Sequence, residues 1–328
     1  YSLNATLPIF LMILLGKVLI KLKIIDLPFT KVVDRFVFVV ALPVLLFKDL
    51  TANDLSKDFN GGYVLFCFVV TLVSISAIWF FTSIFMKNKE EQGAFIQASY
   101  RSSAAILGLA FINNMYDSTG LAPLMILGAV PLFNIFAVVI LTLKGDNNGQ
   151  KPDVKTTVIN ILKNPILLGI LISLPFAFFH VQFPAFVDKA LTSIGNTATP
   201  LALISIGATF EGRKAIQKLK PTLIASGIKL LLLPALFLPL ALYFGYHNQE
   251  LMAILIMLGS PTTVSCYIMA KNTKNDALLT SSVIVLTTLL SSVTLTGWIF
   301  LLRSLGRLRS LKIHIDQRTS KQDPCYIL

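Results

Sequence analysis

Apolar residues run along this chain in blocks of about 20, separated by short polar breaks. A block of that length without Lys, Arg, Asp or Glu can cross the hydrocarbon core of a bilayer as a helix. Gly62 to Met86, Leu121 to Leu143 and Ala277 to Leu302 are uninterrupted in this sense. Asn164 to Val187 and Leu230 to Gln249 resemble them, each with one histidine near an end. Shorter or more polar runs at 5–23, 30–50, 93–115, 190–210 and 251–270 complete ten predicted spans, an all-α membrane fold.

Composition agrees. Of the 328 residues, 55% are hydrophobic and 13% charged, and the mean hydropathy is +0.76. A soluble globular domain carries roughly 25% charged residues, so soluble enzymes and disordered chains are excluded. The net charge of +12 would suggest nucleic acid in a soluble protein. Here the basic residues lie in short loops and set orientation instead. With the N-terminus outside, the inner loops collect Lys21, Lys23, Lys31, Lys87, Lys89, Lys144, Lys151, Lys155, Lys163, Arg213, Lys214, Lys218, Lys220, Lys271 and Lys274. The outer loops keep only Lys48, Lys57 and Lys189. The basic tail, 304–328, runs against this bias; it is neither apolar nor periodic and is set apart from the fold. Its Cys325-Tyr326-Ile327-Leu328 ending matches a prenylation signal only formally.

Shifting the chain by 157 residues lays its second half over its first: Pro8 on Pro165, Pro43 on Pro200, Gln92 on Gln249 and Ser103 on Ser260. The expected organisation is a five-helix repeat over 1–144, a linker at 145–157 and a second repeat over 158–303. Five spans is an odd number, so the two repeats face opposite ways, the plan of many secondary transporters. Such proteins place their sites at paired interruptions of corresponding helices. The fourth span carries Arg101-Ser102-Ser103-Ala104-Ala105-Ile106-Leu107-Gly108, and the ninth carries Gly259-Ser260-Pro261-Thr262-Thr263-Val264-Ser265. Small residues also let membrane helices pack closely, but the matched positions favour two broken helices that cross. Pro43, Gly108, Pro200 and Pro261 are the expected hinge or crossover positions.

At these residues the chain resembles the auxin efflux carrier family, which includes bacterial organic-anion permeases and plant auxin exporters. The resemblance rests on Ala41-Leu42-Pro43-Val44-Leu45-Leu46-Phe47, Tyr100-Arg101-Ser102-Ser103 with Gly108, and Pro131-Leu132-Phe133-Asn134. Lys229 with Pro234, and Ser260 to Ser265 running to Met269-Ala270-Lys271, add to it. It implies two inverted five-helix repeats with crossed helices 4 and 9. It also implies a scaffold of helices 1, 2, 6 and 7 beside a moving transport domain, and elevator-like alternating access. Ser103 stands where relatives often carry Asn, and Ser102 where plant members carry proline. Both departures point away from an auxin-type aromatic substrate.

Charges inside the spans are few: Lys17, Arg35, Arg101 and Lys229. Lys17 and Arg35 can snorkel to a surface. Arg101 sits about 15 Å into its span at 1.5 Å per residue, beside the expected crossover. A buried guanidinium needs a partner, either a substrate carboxylate or the carbonyls of a broken helix. Lys229 is expected to snorkel or to pack beside the crossover. The candidate substrate contacts are Arg101, Ser102, Ser103, Asn134, Ser260, Pro261, Thr262 and Thr263. Ser103, Thr262 and Ser265 could offer oxygens to a coupling sodium ion, and a proton is the other coupling candidate. No deep carboxylate is expected, which favours sodium, exchange or uniport. Asn196 and Thr197, ahead of Pro200, are read as packing residues. No zinc motif or P-loop is present, and no catalytic residue, metal or cofactor is expected. The expected function is secondary transport of small organic anions, with a membrane ligand sensor as the alternative. The expected partners are an organic anion, the lipid bilayer and, through the scaffold helices, a second copy of the chain; nucleic acid is not among them.

Overall fold

The computed structural model describes residues 2–51, 60–104, 112, 122–145, 154–179, 181 and 183–308. Gly108, His180, most of the 145–157 linker and the tail from 309 onward lie outside the described residues. Every regular element within them is helical. In chain order these are α1 (Ser2–Lys21), α2 (Leu27–Phe36), α3 (Leu42–Thr51), α4 (Gly61–Phe85), α5 (Lys89–Tyr100) and α6 (Ala122–Lys144). Then follow α7 (Val154–Leu162), α8 (Pro165–Phe178), α9 (Ala185–Asn196), α10 (Ala198–Thr209), α11 (Gly212–Gln217) and α12 (Leu219–Gly227). The last are α13 (Leu233–Tyr243), α14 (Asn248–Gly259), α15 (Ser265–Asn272) and α16 (Ala277–Ser304).

Among the described residues, four helical stretches are long and apolar enough to cross a membrane: α4, α6, α16 and the continuous run Leu219–Tyr243. At 1.5 Å per residue each exceeds the roughly 30 Å of a hydrocarbon core. The eighth predicted span is displaced, occupying 219–243 where 230–249 was expected. The reason is Lys229: a charge marks the edge of an apolar run, but this lysine is buried inside the helix. The sixth span is shorter than expected, since α8 stops at Phe178. Polar loop residues serve as caps. Asp26 Oδ1 accepts from Phe29 N at 2.8 Å, Asn60 Oδ1 from Tyr63 N at 3.1 Å and Asp276 Oδ1 from Leu279 N at 2.8 Å.

Among the described residues, two complete π-helical turns interrupt the bundle, Val37–Ala41 between α2 and α3 and Ile228–Leu232 between α12 and α13. Each leads into a Leu-Pro pair, Leu42-Pro43 and Leu233-Pro234. Proline cannot donate to the carbonyl four residues earlier, and its ring crowds that carbonyl. A widened turn accommodates both effects. The carbonyl freed by Pro234 belongs to Leu230 and accepts from Trp298 Nε1 of α16 at 3.0 Å. Ahead of Pro200 the chain also breaks, at Thr197 between α9 and α10.

The core is one large apolar cluster centred on α6 and α14. Around it, α1 packs along α10, α3 along α8, α4 along both α5 and α6, and α12 along α16. The crossing of α1 with α10 is close because it is built on glycine. A Cβ on Gly16 would strike the Ile204 carbonyl, and one on Gly207 would strike the Ile13 carbonyl. Across the molecule, a Cβ on Gly169 of α8 would meet Pro43 O at 2.9 Å and Pro43 Cα at 3.0 Å. Without a hydrophobic force between helices in lipid, such close backbone contact is a main source of association.

Gly207→Val should therefore drive α1 and α10 apart. The expected loss is about 2–3 kcal/mol or more, the upper range for overpacking a rigid contact, read as a lower Tm of the purified protein. Gly227→Ala, where an added Cβ meets nothing within 4 Å, should leave Tm unchanged or slightly raised.

Candidate functional site

Helix α5 stops at Tyr100, and Arg101 turns into extended backbone with φ −76° and ψ 124°. Helix α14 stops at Gly259, and Ser260 is likewise extended, with φ −71° and ψ 158°. In the second break, Pro261 disfavours helical backbone at the residue before it and has no N–H of its own. The first break has no proline. There the Ser102 hydroxyl reaches across to the Met257 carbonyl, offering the chain an alternative to the helical ladder. The two extended segments meet in an antiparallel bridge between Ser102 and Thr262, and Ser103 N donates to Pro261 O at 3.0 Å. Thr262 fixes the crossing to its neighbours: its N–H donates to Thr287 Oγ1 at 3.1 Å and its hydroxyl to Ala98 O at 2.8 Å.

Helix ends inside a protein leave carbonyls without intrahelical donors. Here Lys229, carried on the second π turn, supplies them. Its ammonium is fully buried and donates to Leu258 O at 2.6 Å, Tyr100 O at 3.2 Å, Met257 O at 3.4 Å and the Ser102 hydroxyl. It does not snorkel; it packs at the crossover. Two helix C-termini, each carrying partial negative charge, thus converge on one cation.

Arg101 points away from that cluster. Its guanidinium is buried, with Nη2 donating to Asn134 Oδ1 and Nη1 directed at Met269 Sδ. Gln97 satisfies both ends of its amide when the oxygen accepts from Arg101 Nη1 at 3.2 Å and the nitrogen donates to Cys266 O at 3.3 Å. Asn134 is itself anchored, its Nδ2 donating to Val130 O at 2.9 Å. Among the described residues, all these partners of Arg101 are neutral.

Beside Arg101 opens a small cavity of about 60 Å³. Arg101, Ser102, Ser103 and Asn134 line it with Phe133, and Thr263, Val264 and Ser265 continue the lining. α3 and α10 contribute Leu42, Leu45, Leu46 and Asp49, and Ala198, Thr199 and Ala202, to the same lining. Six of the residues singled out in the sequence therefore share the cavity: Arg101, Ser102, Ser103, Asn134, Thr263 and Ser265. Ser260, Pro261 and Thr262 are buried in the crossing and do not line it. Pro43 and Pro200 each adjoin a lining residue, Leu42 and Thr199.

Two positions at the site were not among the candidate contacts read from the sequence. Asp49 puts a carboxylate on the cavity wall, where no deep carboxylate was expected. Its signal was an acidic residue six positions after Pro43, inside a span that carries a Leu-Pro break. Lys229 was noted but not placed in the site, although a lysine four residues before a Leu-Pro pair marks the π turn. Lys17 also has an assigned partner, donating to Phe210 O at 2.9 Å just beyond the end of α10.

Two ion-pair clusters flank the site. Lys271 Nζ lies 2.5 Å from buried Asp34 and 2.7 Å from the Tyr267 hydroxyl, joining α2 to α15. Lys218 lies 2.5 Å from Glu91 and 2.8 Å from Asp276, joining the α11–α12 connection to the first turn of α5 and the N-cap of α16. Burial alone would lower the Lys218 pKa, but its hydrogen bonds and charge pairing with Asp276 and Glu91 raise it above the ordinary lysine value. A raised lysine pKa contributes stability that is fully present below the ordinary value and lost only as pH rises through the shifted one. The cation thus persists across neutral pH.

Comparison with known proteins places this architecture. Residues 1–299 match the family described as "Membrane transport protein". The chain is 24% identical over 280 residues to an uncharacterized transporter of Methanocaldococcus jannaschii, covering 83% of this chain and 90% of that one. It is 27% identical over 291 residues to a Rhizobium meliloti protein named "Putative malonate transporter", covering 83% and 86%. An uncharacterized transporter of Methanothermobacter thermautotrophicus is 20% identical over 304 residues, covering 90% and 97%. Relatives of this kind are membrane transporters and not enzymes. The apolar helices and the match along nearly the whole chain agree: this is an integral membrane protein belonging to the membrane transport protein family, the auxin efflux carriers.

Proposed function

We propose that this chain is a secondary transporter of small organic anions, carboxylates of the size of malonate among them, working by elevator-like alternating access. The observation that carries this reading is Arg101: a buried, planar two-point donor on a cavity wall, surrounded by neutral partners. A carboxylate would complete its charge and fit its fork. Serine and threonine hydroxyls nearby offer further donors. One relative is named "Putative malonate transporter", which agrees with that chemistry.

Ten spans in two inverted five-helix repeats suit the same reading. The 157-residue offset is supported by the packing, because α1 against α10 and α8 against α3 are images of one another under it. The glycine contacts repeat as well. Gly169 meets Pro43, and Gly16 meets Ile204, each one helical turn beyond the position that the offset assigns. In this reading the spans containing α1, α3, α8 and α10 form a scaffold, and the crossing moves past it carrying the cavity. The bias of the loop lysines supports an orientation with the end that bears Lys87 and Lys218 inside the cell.

The test is flux in proteoliposomes over mono- and dicarboxylates, each paired with its neutral amide. Saturable anion flux is expected, and no saturable flux of any organic anion would overturn the reading. Arg101→Ala should weaken carboxylate affinity about 10- to 100-fold, the worth of a charge-assisted hydrogen-bonded pair, and leave any binding of the neutral amide nearly unchanged. Arg101→Lys should fall between, keeping the charge and losing the fork.

A sharper variant is Asn134→Asp. It keeps an oxygen at the position that accepts from Arg101 Nη2 but adds a fixed carboxylate where a substrate would compete. Tm should hold or rise while anion affinity falls at least tenfold. Unchanged affinity would remove Arg101 from the binding site.

A further inference from the structure

We propose that the crossing of the two broken helices is a cation site already filled by the chain's own Lys229, so that no sodium ion is bound there and transport proceeds without one. This rests on the transporter reading only for its consequence; the occupancy of the site stands on the geometry alone. The sequence suggested a hard cation held by Ser103, Thr262 and Ser265. The structure distributes the oxygens differently.

An oxygen-lined cation site in a broken helix is made from carbonyls released by the interrupted ladder. Four oxygens converge on Lys229 Nζ: the carbonyls of Tyr100, Met257 and Leu258, and the Ser102 hydroxyl. They come from both broken helices, in the way expected of a site that staples them. The ammonium has three protons, and the four oxygens offer ample acceptors. The hydroxyl of Thr262, one of the suggested sodium ligands, is turned to Ala98 O, and its N–H is engaged by Thr287. Thr263 and Ser265 hydroxyls lie 3.4 Å from one another on the cavity wall, away from the Lys229 cluster.

The protein environment around Lys229 fixes the side chain at the crossing. The side chain is fully buried, and no carboxylate pairs with it among the described residues. Its charge is therefore held by dipoles: two helix C-termini and one hydroxyl. That is the same currency in which a carbonyl cage holds an alkali ion. A tethered ammonium differs in one respect that bears on function. It cannot dissociate, so it braces the crossing in every stage of a transport cycle and supplies no coupling to a sodium gradient.

The experiment uses melting of the purified full chain in sodium chloride and in choline chloride of equal ionic strength. It needs no substrate, so its outcome is independent of whether the transporter reading holds. The wild type should melt at the same temperature in both salts. Lys229→Met removes the ammonium and leaves the four oxygens; it should melt lower in choline and recover in sodium, by about 5 °C at hundredfold saturation of the vacated site. Lys229→Gln, which returns two donors without the charge, is the second variant and should recover less. A wild type that is itself stabilised by sodium would overturn the proposal. Variants that melt alike in both salts would do so too, by showing that the oxygens are a hydrogen-bonding post for lysine and not a cation site. In proteoliposomes, wild-type anion flux should be unchanged when sodium is replaced by choline on both sides.

Discussion

A helix that stops inside a membrane exposes carbonyls that no water can satisfy, each costing several kcal/mol if left alone. Two such ends, at Tyr100 and at Gly259, lie side by side in this protein. The rest of the structure depends on how they are satisfied. The backbone contributes one bridge, the serine and threonine hydroxyls contribute local bonds, and Lys229 supplies the charge. With that set, the two halves of the chain are joined at their most fragile point. Without it, neither helix break would be tolerable in lipid.

The same constraint reaches outward through the π turn at Ile228–Leu232. Pro234 widens the helix, and Lys229 lies within the widened turn. The Leu230 carbonyl that the proline releases is taken by Trp298 of α16. One residue type thus creates both the turn that bears the cation and the demand met by a neighbouring helix. Pro43 and its π turn likewise shape α3, whose Leu42, Leu46 and Asp49 line the cavity. Close glycine contacts hold α1 to α10 and α8 to α3.

Helical class, the positions of most apolar segments and the paired interruptions were legible in the sequence, because each is a local property. Pro261 and the small residues around it mark a break wherever they stand. Boundaries were less legible where a charge is buried: Lys229 moved the predicted start of a span by eleven positions, from 219 to 230. Hydropathy treats any lysine as a marker of the surface, and only the acceptors contributed by distant Tyr100 and Leu258 make this one an interior residue. Asp49 was missed for a related reason. Its place on the cavity that Arg101 lines is set by the packing of α3 across the bundle, information that no window of neighbouring residues contains. Of the candidate contacts, Ser103, Asn134, Thr263 and Ser265 reach the cavity because they flank the crossing. Ser260 and Thr262 form the crossing itself and are consumed by it.

The division of labour between the two buried cations follows from their chemistry. Lysine is a compact charge with rotatable donors, suited to a cluster of carbonyls arriving from different directions. Arginine is a planar fork, and here its hydrogen-bonding capacity is only partly used, by an asparagine, a glutamine and a thioether. A permanent carboxylate partner would stabilise it more, but it would also occupy the geometry that an anionic ligand needs. The hydrogen-bonding partners shown for it among the described residues are neutral and hold the fork in place on a cavity that Asp49 also lines. In the proposed transport cycle the cavity next to it is where an anionic ligand would meet the fork, whereas Lys229 is engaged in holding the two broken helices together.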